Sequence, residues 1–343
     1  MSAKQKMLFA SFCQLNIEQL PRLLGALDFA NRERVLRLNR DVDRWESALA
    51  TQLALHAAAS TYSKKHSADS TGLGDIGDKR RFVFPQSVQT IQWRRDLGAK
   101  PKAVLVSSGP EKLAAQISVS HDEGLVVCAS GDEDGSRLGV DAISIKRATN
   151  VCSSLQSLQA AARRFPDPIA MKLLSFYSSE VQKGGGSSES STSYGGAKRS
   201  DQQGPDVAAR LFCISWTLLE ALAKAREVSV FSSDLKSMMM SGAAEKSLLE
   251  GMIKGSTQSE VSESSLQPAY ANKDLYPLIL VDAQSLFKGN EKEDSVCTNP
   301  LDVSTTAVEQ CVFAKRVATL SGDGWTSETI EYNGQIITVV ESN

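Results

Sequence analysis

The chain has 343 residues, enough for about two domains, and its 38 Lys and Arg against 40 Asp and Glu give a formal net charge of −2. That balance supplies no chain-wide basic field and excludes a protein that coats nucleic acid. Hydrophobic residues at 41% and charged residues at 23% exclude a disordered or collagen-like chain and predict a globular fold.

The cysteines, Cys13, Cys128, Cys152, Cys213, Cys297 and Cys311, form no C-x-x-C pair and have no His at metal-ligand spacing, so reduced and mostly buried thiols are expected. No apolar run approaches the roughly 20 residues that span a bilayer. The apolar stretch in MSAKQKMLFASFCQL is too short and interrupted for a secretory segment. The cytosol is therefore the expected compartment. A mitochondrial address is the less favoured alternative, because Lys4 and Lys6 stand there without the Arg-rich pattern.

In chain order, Met7 to Leu15 reads as a strand, then Asp28 to Leu38 and Asp41 to Tyr62 as helices. In the second helix Trp45, Leu49, Leu53 and His56 or Ala57 recur at three- and four-residue steps and predict one buried stripe. Ser63 to Lys79 is polar and reads as a loop. From Phe82 to Ile145 the segments VQTIQW, KAVLVSS, AQISVSH, GLVVCASG and LGVDAISI predict short strands between Gly, Asp and Pro turns. Helices follow at Leu155 to Arg164 and Ile169 to Gln182. The Gly/Ser-rich stretch from Lys183 to Gly204 reads as a mobile insertion. Asp206 to Glu227 is the clearest helix, with Asp206 as its expected N-cap. Met238 to Gly255 is a further expected helix, and Leu278 to Phe287 an expected strand. CVFAKRVATL, TIEYN and QIITVVE complete the strands, with Asn333-Gly334 as a two-residue hairpin turn. Helices followed by antiparallel strands occur twice, which predicts an α+β fold of two related lobes rather than a parallel βαβ sheet. The expected lobes are 1–146 and 147–343, the second carrying the insertion at 183–204 and polar insertions near 256–267 and 289–302.

Four short segments carry the candidate chemistry. On Leu211 to Lys224, Leu211, Ile214, Leu218 and Leu222 fall on one helix face, while Trp216, Glu220 and Lys224 lie at four-residue steps on another. In Gly139-Val140-Asp141 an acid sits in an otherwise apolar strand, where a carboxylate is costly unless paired, hydrogen-bonded or holding a cation. Ile117 to His121 alternates as a strand ending in Ser120-His121. Arg94 to Pro101 is a basic turn shaped by Gly98 and Pro101. Taken singly, each has a plain structural explanation: an exposed ion pair, a turn-capping Asp, a satisfied His and a solvated loop.

Their joint order does not. Arg44, Gly98-Ala99-Lys100-Pro101, Ser120-His121, Gly139-Val140-Asp141 and the W-T-x-x-E-A-x-x-K pattern of Trp216 to Lys224 together resemble the phosphopantetheinyl transferase superfamily, in its two-lobed Sfp-type form. The resemblance spans residues 8 to 230; beyond that, only the strand-like character matches. It implies a pseudo-dimeric fold and a site at the junction of two lobes for coenzyme A and Mg²⁺. Asp141 and Glu220 would be the metal carboxylates. Arg44, Arg95, Lys100, Pro101, Ser120 and His121 would line the nucleotide end, and Lys224 would meet the diphosphate. Several cations are needed because a 3′-phosphate and a diphosphate carry several negative charges. The implied reaction transfers the phosphopantetheine arm to a serine of an apo acyl or peptidyl carrier protein, with Glu220 as candidate general base. The implied partners are carrier domains of fatty acid, polyketide or nonribosomal peptide synthases or of an aminoadipate reductase, served by a monomeric enzyme.

The chain also departs from the pattern. Leu219 stands where members commonly have Lys, which removes one cation; Ser118 stands where many have Asn; Ile143 stands where some have a third acid. Phe176 to Glu180 resembles a segment ahead of the main helix in which Glu180 would orient it. A weakened member that binds coenzyme A or carrier without efficient transfer is the alternative, and an interaction protein with merely structural charges is the third.

Overall fold

The computed structural model describes residues 6–12, 20–69, 90–94, 101–106, 112–132, 137–184, 203–240, 249–254, 274–286 and 308–343. In chain order they form β1 (Met7–Phe12), α1 (Leu20–Gly25), α2 (Phe29–Leu36), α3 (Asp41–Asp69), β2 (Thr90–Arg94), β3 (Lys102–Val106), β4 (Lys112–Asp122), β5 (Leu125–Gly131) and β6 (Arg137–Ser144). Then come α4 (Ile145–Cys152), α5 (Leu155–Ala162), α6 (Asp167–Gly184), α7 (Gln203–Arg226), α8 (Ser233–Met239), β7 (Leu275–Val281), β8 (Glu309–Gly322), β9 (Trp325–Tyr332) and β10 (Gln335–Ser342). Among the described residues the chain is mixed α and β, with a ten-stranded mixed sheet ordered β2-β3-β4-β5-β1-β7-β8-β9-β10-β6. The β1–β7 pair is parallel, Phe9 facing Ile279, where antiparallel strands alone were expected.

Two compact units divide the chain. The first comprises Met1–Asp141, Lys224–Glu227 and Pro277–Phe313, and the second Ala142–Ala223, Val228–Tyr276 and Ala314–Asn343. In the first, β1 pairs with β5 from Met7 opposite Ser130 to Phe12 opposite Leu125, and β4 pairs with β5 from Gln116 opposite Gly131 to Asp122 opposite Leu125. The two-residue turn of that hairpin is Glu123-Gly124, with φ of 44° and 83°, a left-handed pair that suits a two-residue connection. The expected stripe Trp45, Leu49, Leu53 and Ala57 of α3 is buried against Phe9, Ile117, Val126 and Cys128. Leu20, Leu23, Leu27 and Val35, from α1, α2 and the segment joining them, belong to the same core. That accounts for an α3 buried on nearly every side from Trp45 to Ala58. Asp28 caps α2 through Asn31 N at 2.9 Å.

In the second unit the expected apolar face of α7, Leu211, Ile214, Leu218 and Leu222, is fully buried. Trp216 and Glu220 are half-buried and, with Lys224, continue along one row of the helix. Arg210 grips Glu331 of β9 in a fork at 2.6 and 2.9 Å. β9 and β10 meet at Asn333-Gly334, with φ of 49° and 73°, the turn the sequence predicts.

Several expected boundaries move. α7 begins at Gln203, so Asp206 lies inside its first turn rather than capping it. The expected helix Met238–Gly255 is instead α8, ending at Met239, and a helical stretch at 249–254, with 241–248 outside the described residues. β7 stops at Val281 because Asp282 folds a turn, accepting from Gln284 N at 3.2 Å and Ser285 N at 3.1 Å. α6 starts at Asp167 with Pro168 in its first turn, where a missing N–H costs no helical bond. α4, capped by Ser144 through Arg147 N at 3.0 Å, begins at Ile145, the last residue of the expected strand, and runs through residues to which the sequence assigns no element. The expected loop Ser63–Lys79 is helical as far as Asp69, where α3 ends, and its remainder, most of the stretch at 183–204 and the polar segments near 256–267 and 289–302 lie outside the described residues, as do Cys13 and Cys297. Cys128, Cys152 and Cys213 are buried cysteines, and Cys311 is exposed. Among the described residues no helix is long and apolar enough to cross a membrane.

Candidate functional site

Strand β4 directs alternate side chains to opposite faces, and its two chemical residues part accordingly. Ser118 and Ser120 share one face. Ser118 Oγ accepts from Val140 N at 2.9 Å, and Ser120 Oγ donates to Asp141 Oδ1 at 2.7 Å. The two hydroxyls thereby hold the Val140-Asp141 segment of β6 against β4, although the strands are not neighbours in the sheet. The Asp141 side chain is 5% exposed, and the Lys224 ammonium, at the end of α7, donates to its Oδ1 at 2.7 Å. Lys224 also donates to Val140 O at 3.0 Å.

A carboxylate taken out of water is tolerated only with a compensating charge and hydrogen bonds. Asp141 has both, and both fall on Oδ1. Among the described residues Oδ2 takes no hydrogen bond, which leaves one carboxylate oxygen to serve as a hard donor. Carboxylate and hydroxyl oxygens suit Mg²⁺ rather than a soft metal. Among the described residues no group of three or more His, Cys, Asp or Glu comes together as a metal cage. A cation at Asp141 would thus draw most of its shell from water and ligand oxygens, as Mg²⁺ commonly does.

His121 faces the other way. Its Nδ1 lies 2.8 Å from Glu46 Oε2 of α3, and Glu46 Oε1 accepts from Gly124 N at 2.8 Å. The His121 side chain is 42% exposed and that of Glu46 only 7%. Burial is the largest single influence on Glu46 and pushes its carboxyl up, but the His121 contact, the Gly124 N–H and the field of His121 together hold it below its ordinary value. Asp43 and Arg40 complete the charge around it. They form an exposed fork at 2.7 and 2.9 Å, and this contact lowers Asp43 and raises Arg40.

Arg44 is committed to its own neighbourhood, donating to Leu38 O at 2.8 Å and Asp41 Oδ1 at 2.9 Å. Pro101 is half-buried just before β3, while Arg95 and Lys100 lie outside the described residues. Glu220 is half-buried one turn before Lys224 on α7. Leu219 and Ile143 are both buried, Leu219 at 0% exposure. Lys172 stacks on Phe176 at 4.8 Å in α6, the helix that also contains Glu180.

Ser120, Asp141 and Lys224 therefore meet, His121 pairs elsewhere, and Arg44 is held locally. Sequence reasoning missed Glu46 and the bond from Ser118 to β6. Glu46 had a signal, since it is the sole Asp, Glu, Lys or Arg between Trp45 and Ala58. No protein-family model matches the chain, and a comparison with curated proteins finds no match.

Proposed function

We propose that this chain is a phosphopantetheinyl transferase of two related lobes, acting on coenzyme A and a serine of an apo acyl or peptidyl carrier domain. The observation that carries the reading is the meeting of Ser120, Asp141 and Lys224. Three segments from different parts of the chain, Ser120-His121, Gly139-Val140-Asp141 and the E-A-x-x-K end of α7, supply one residue each, joined by two contacts of 2.7 Å. An ion pair of this kind is weak evidence for stability alone, because an apolar pair of similar volume is often as stable.

In the reaction, the carrier serine oxygen bonds to the β-phosphorus of coenzyme A as the bond from that phosphorus to the bridging oxygen breaks. Adenosine 3′,5′-bisphosphate leaves with the electron pair, and the serine proton passes to Glu220, directly or through water. Lys224 donates to the diphosphate. Ser120 keeps Asp141 oriented, and to meet the nucleotide phosphates His121 would have to give up Glu46, and Arg44 its bonds to Leu38 O and Asp41. Asp141 and Glu220 would be the carboxylates for Mg²⁺, which would supply neutralisation of charge on the diphosphate. Fatty acid, polyketide and nonribosomal peptide synthases and an aminoadipate reductase supply carriers of the required chemistry, and a cytosolic monomer suffices.

The test is the intact mass of several apo carrier proteins after incubation with the chain, coenzyme A and Mg²⁺. A gain of one phosphopantetheine arm on the carrier serine is expected, and no gain on any carrier would overturn the reading. One observation favours a second reading, binding with little transfer. Leu219 is fully buried, so the cation that members commonly carry before the helix Glu has no counterpart at that position. Mg²⁺-dependent coenzyme A binding without any mass gain would select it.

A further inference from the structure

The contacts of Lys224 carry a consequence for how the site fills, one that rests on the transferase reading only for the identity of the phosphate ligand. Lys224 Nζ sits 2.7 Å from Asp141 Oδ1 and 3.0 Å from Val140 O, so two of its three donors point into the protein. Its side chain is 30% exposed while that of Asp141 is 5% exposed. The pair is thus closed on the carboxylate side and open on the ammonium side. In this state the pair of Asp141 and Lys224 has no net charge to offer a cation, because the ammonium lies on one carboxylate oxygen.

A divalent cation arriving at Asp141 Oδ2 meets the carboxylate and the ammonium together. Attraction to the first is opposed by repulsion from the second over a comparable distance. The opposition ends only if the ammonium moves off, and a lysine on a four-carbon stem can do so where a fixed guanidinium fork would not. An anionic phosphate group at the exposed side gives the ammonium somewhere to go. We propose that Lys224 is the resident counter-ion of Asp141, holding the cation site shut until a phosphate ligand takes the ammonium over, so that divalent cation and phosphate ligand bind cooperatively. By reciprocity, whatever factor the phosphate adds to cation affinity, the cation adds to phosphate affinity.

Calorimetric titration of MgCl₂ into the full chain without nucleotide tests this through the sign of one change. Lys224→Gln removes a cation from a site that binds a cation and should bind Mg²⁺ about tenfold more tightly than the wild type. The same variant should lose most of the tightening that adenosine 3′,5′-bisphosphate gives the wild type. Lys224→Arg keeps a fork-shaped cation on the carboxylate and should bind Mg²⁺ no more tightly than the wild type. The gain should vanish when Asp141→Asn is added to Lys224→Gln. Equal or weaker Mg²⁺ binding by Lys224→Gln, or a gain that survives Asp141→Asn, overturns the counter-ion role. If Lys224→Gln fails to fold, as circular dichroism would show, a tighter Lys224→Arg overturns it instead. A wild type that modifies a carrier while Lys224→Gln shows no gain overturns this inference alone. A wild type that binds neither Mg²⁺ nor the bisphosphate overturns the transferase reading with it.

Discussion

Asp141 and Glu46 are both buried carboxylates of the first unit, and they are compensated in different ways. Asp141 is met by an ammonium on a flexible stem and by a serine hydroxyl, both on one oxygen. Glu46 uses both oxygens, one on His121 and one on the Gly124 N–H of a hairpin turn. Glu46 is therefore tied to backbone at a position whose left-handed conformation fixes the turn, and it joins α3 to the β4–β5 hairpin. Asp141 keeps one oxygen without a hydrogen-bond partner among the described residues and a counter-ion able to leave. The difference separates a carboxylate that holds structure from one equipped for exchange, and the Ser120-His121 dipeptide serves one on each face of β4.

Substitutions can break or sharpen that contrast. The largest expected effect is on turnover: Asp141→Asn or Glu220→Gln should lower the rate of carrier modification by about a thousandfold or more, read by intact mass against time. Next is stability. Leu219→Lys places an ammonium where the side chain is 0% exposed, so it should unfold the chain more easily, by about 3 to 5 kcal/mol in a denaturant titration, rather than restore a cation to the site. Lys224→Met should cost about 2 to 3 kcal/mol by leaving Asp141 buried and unpaired, and adding Asp141→Asn should recover part of the loss. Ser118→Ala leaves Val140 N–H without its acceptor and should cost about 1 to 3 kcal/mol.

The smallest effect concerns pH. Glu46 is held below its ordinary value of 4.5, so its ionised form favours the folded state above that pH, and the benefit fades as pH falls toward the lowered folded value. Glu46→Gln should flatten the loss of stability on acidification just below pH 4.5 while leaving the stability at neutral pH reduced. Thermal melts of the two proteins across that range are the check.

Much of this was legible in the sequence where one physical cause dominated. The stripes of α3 and α7 follow from apolar periodicity, and the Asn333-Gly334 hairpin from residues that accept left-handed backbone. Asp141 was conspicuous because an acid in an apolar strand demands compensation, and Lys224 now answers that demand. What escaped depends on tertiary placement. Nothing local says that β7 lies parallel to β1, or that Ser144 ends a strand by capping α4. The Ser120-His121 pair reads as one motif along the chain, yet strand alternation sends its members to different carboxylates. Arg44 reads as a free cation but is spent on Leu38 O and Asp41 next to it.

The most direct test is a side-by-side intact-mass assay of one apo carrier with the wild type, Asp141→Asn and Glu46→Gln, in coenzyme A and Mg²⁺. The wild type should add one phosphopantetheine arm, Glu46→Gln should do so within about tenfold of its rate, and Asp141→Asn should add none on the same timescale. An Asp141→Asn protein as fast as the wild type, or a wild type inactive toward every carrier tried, would contradict the account.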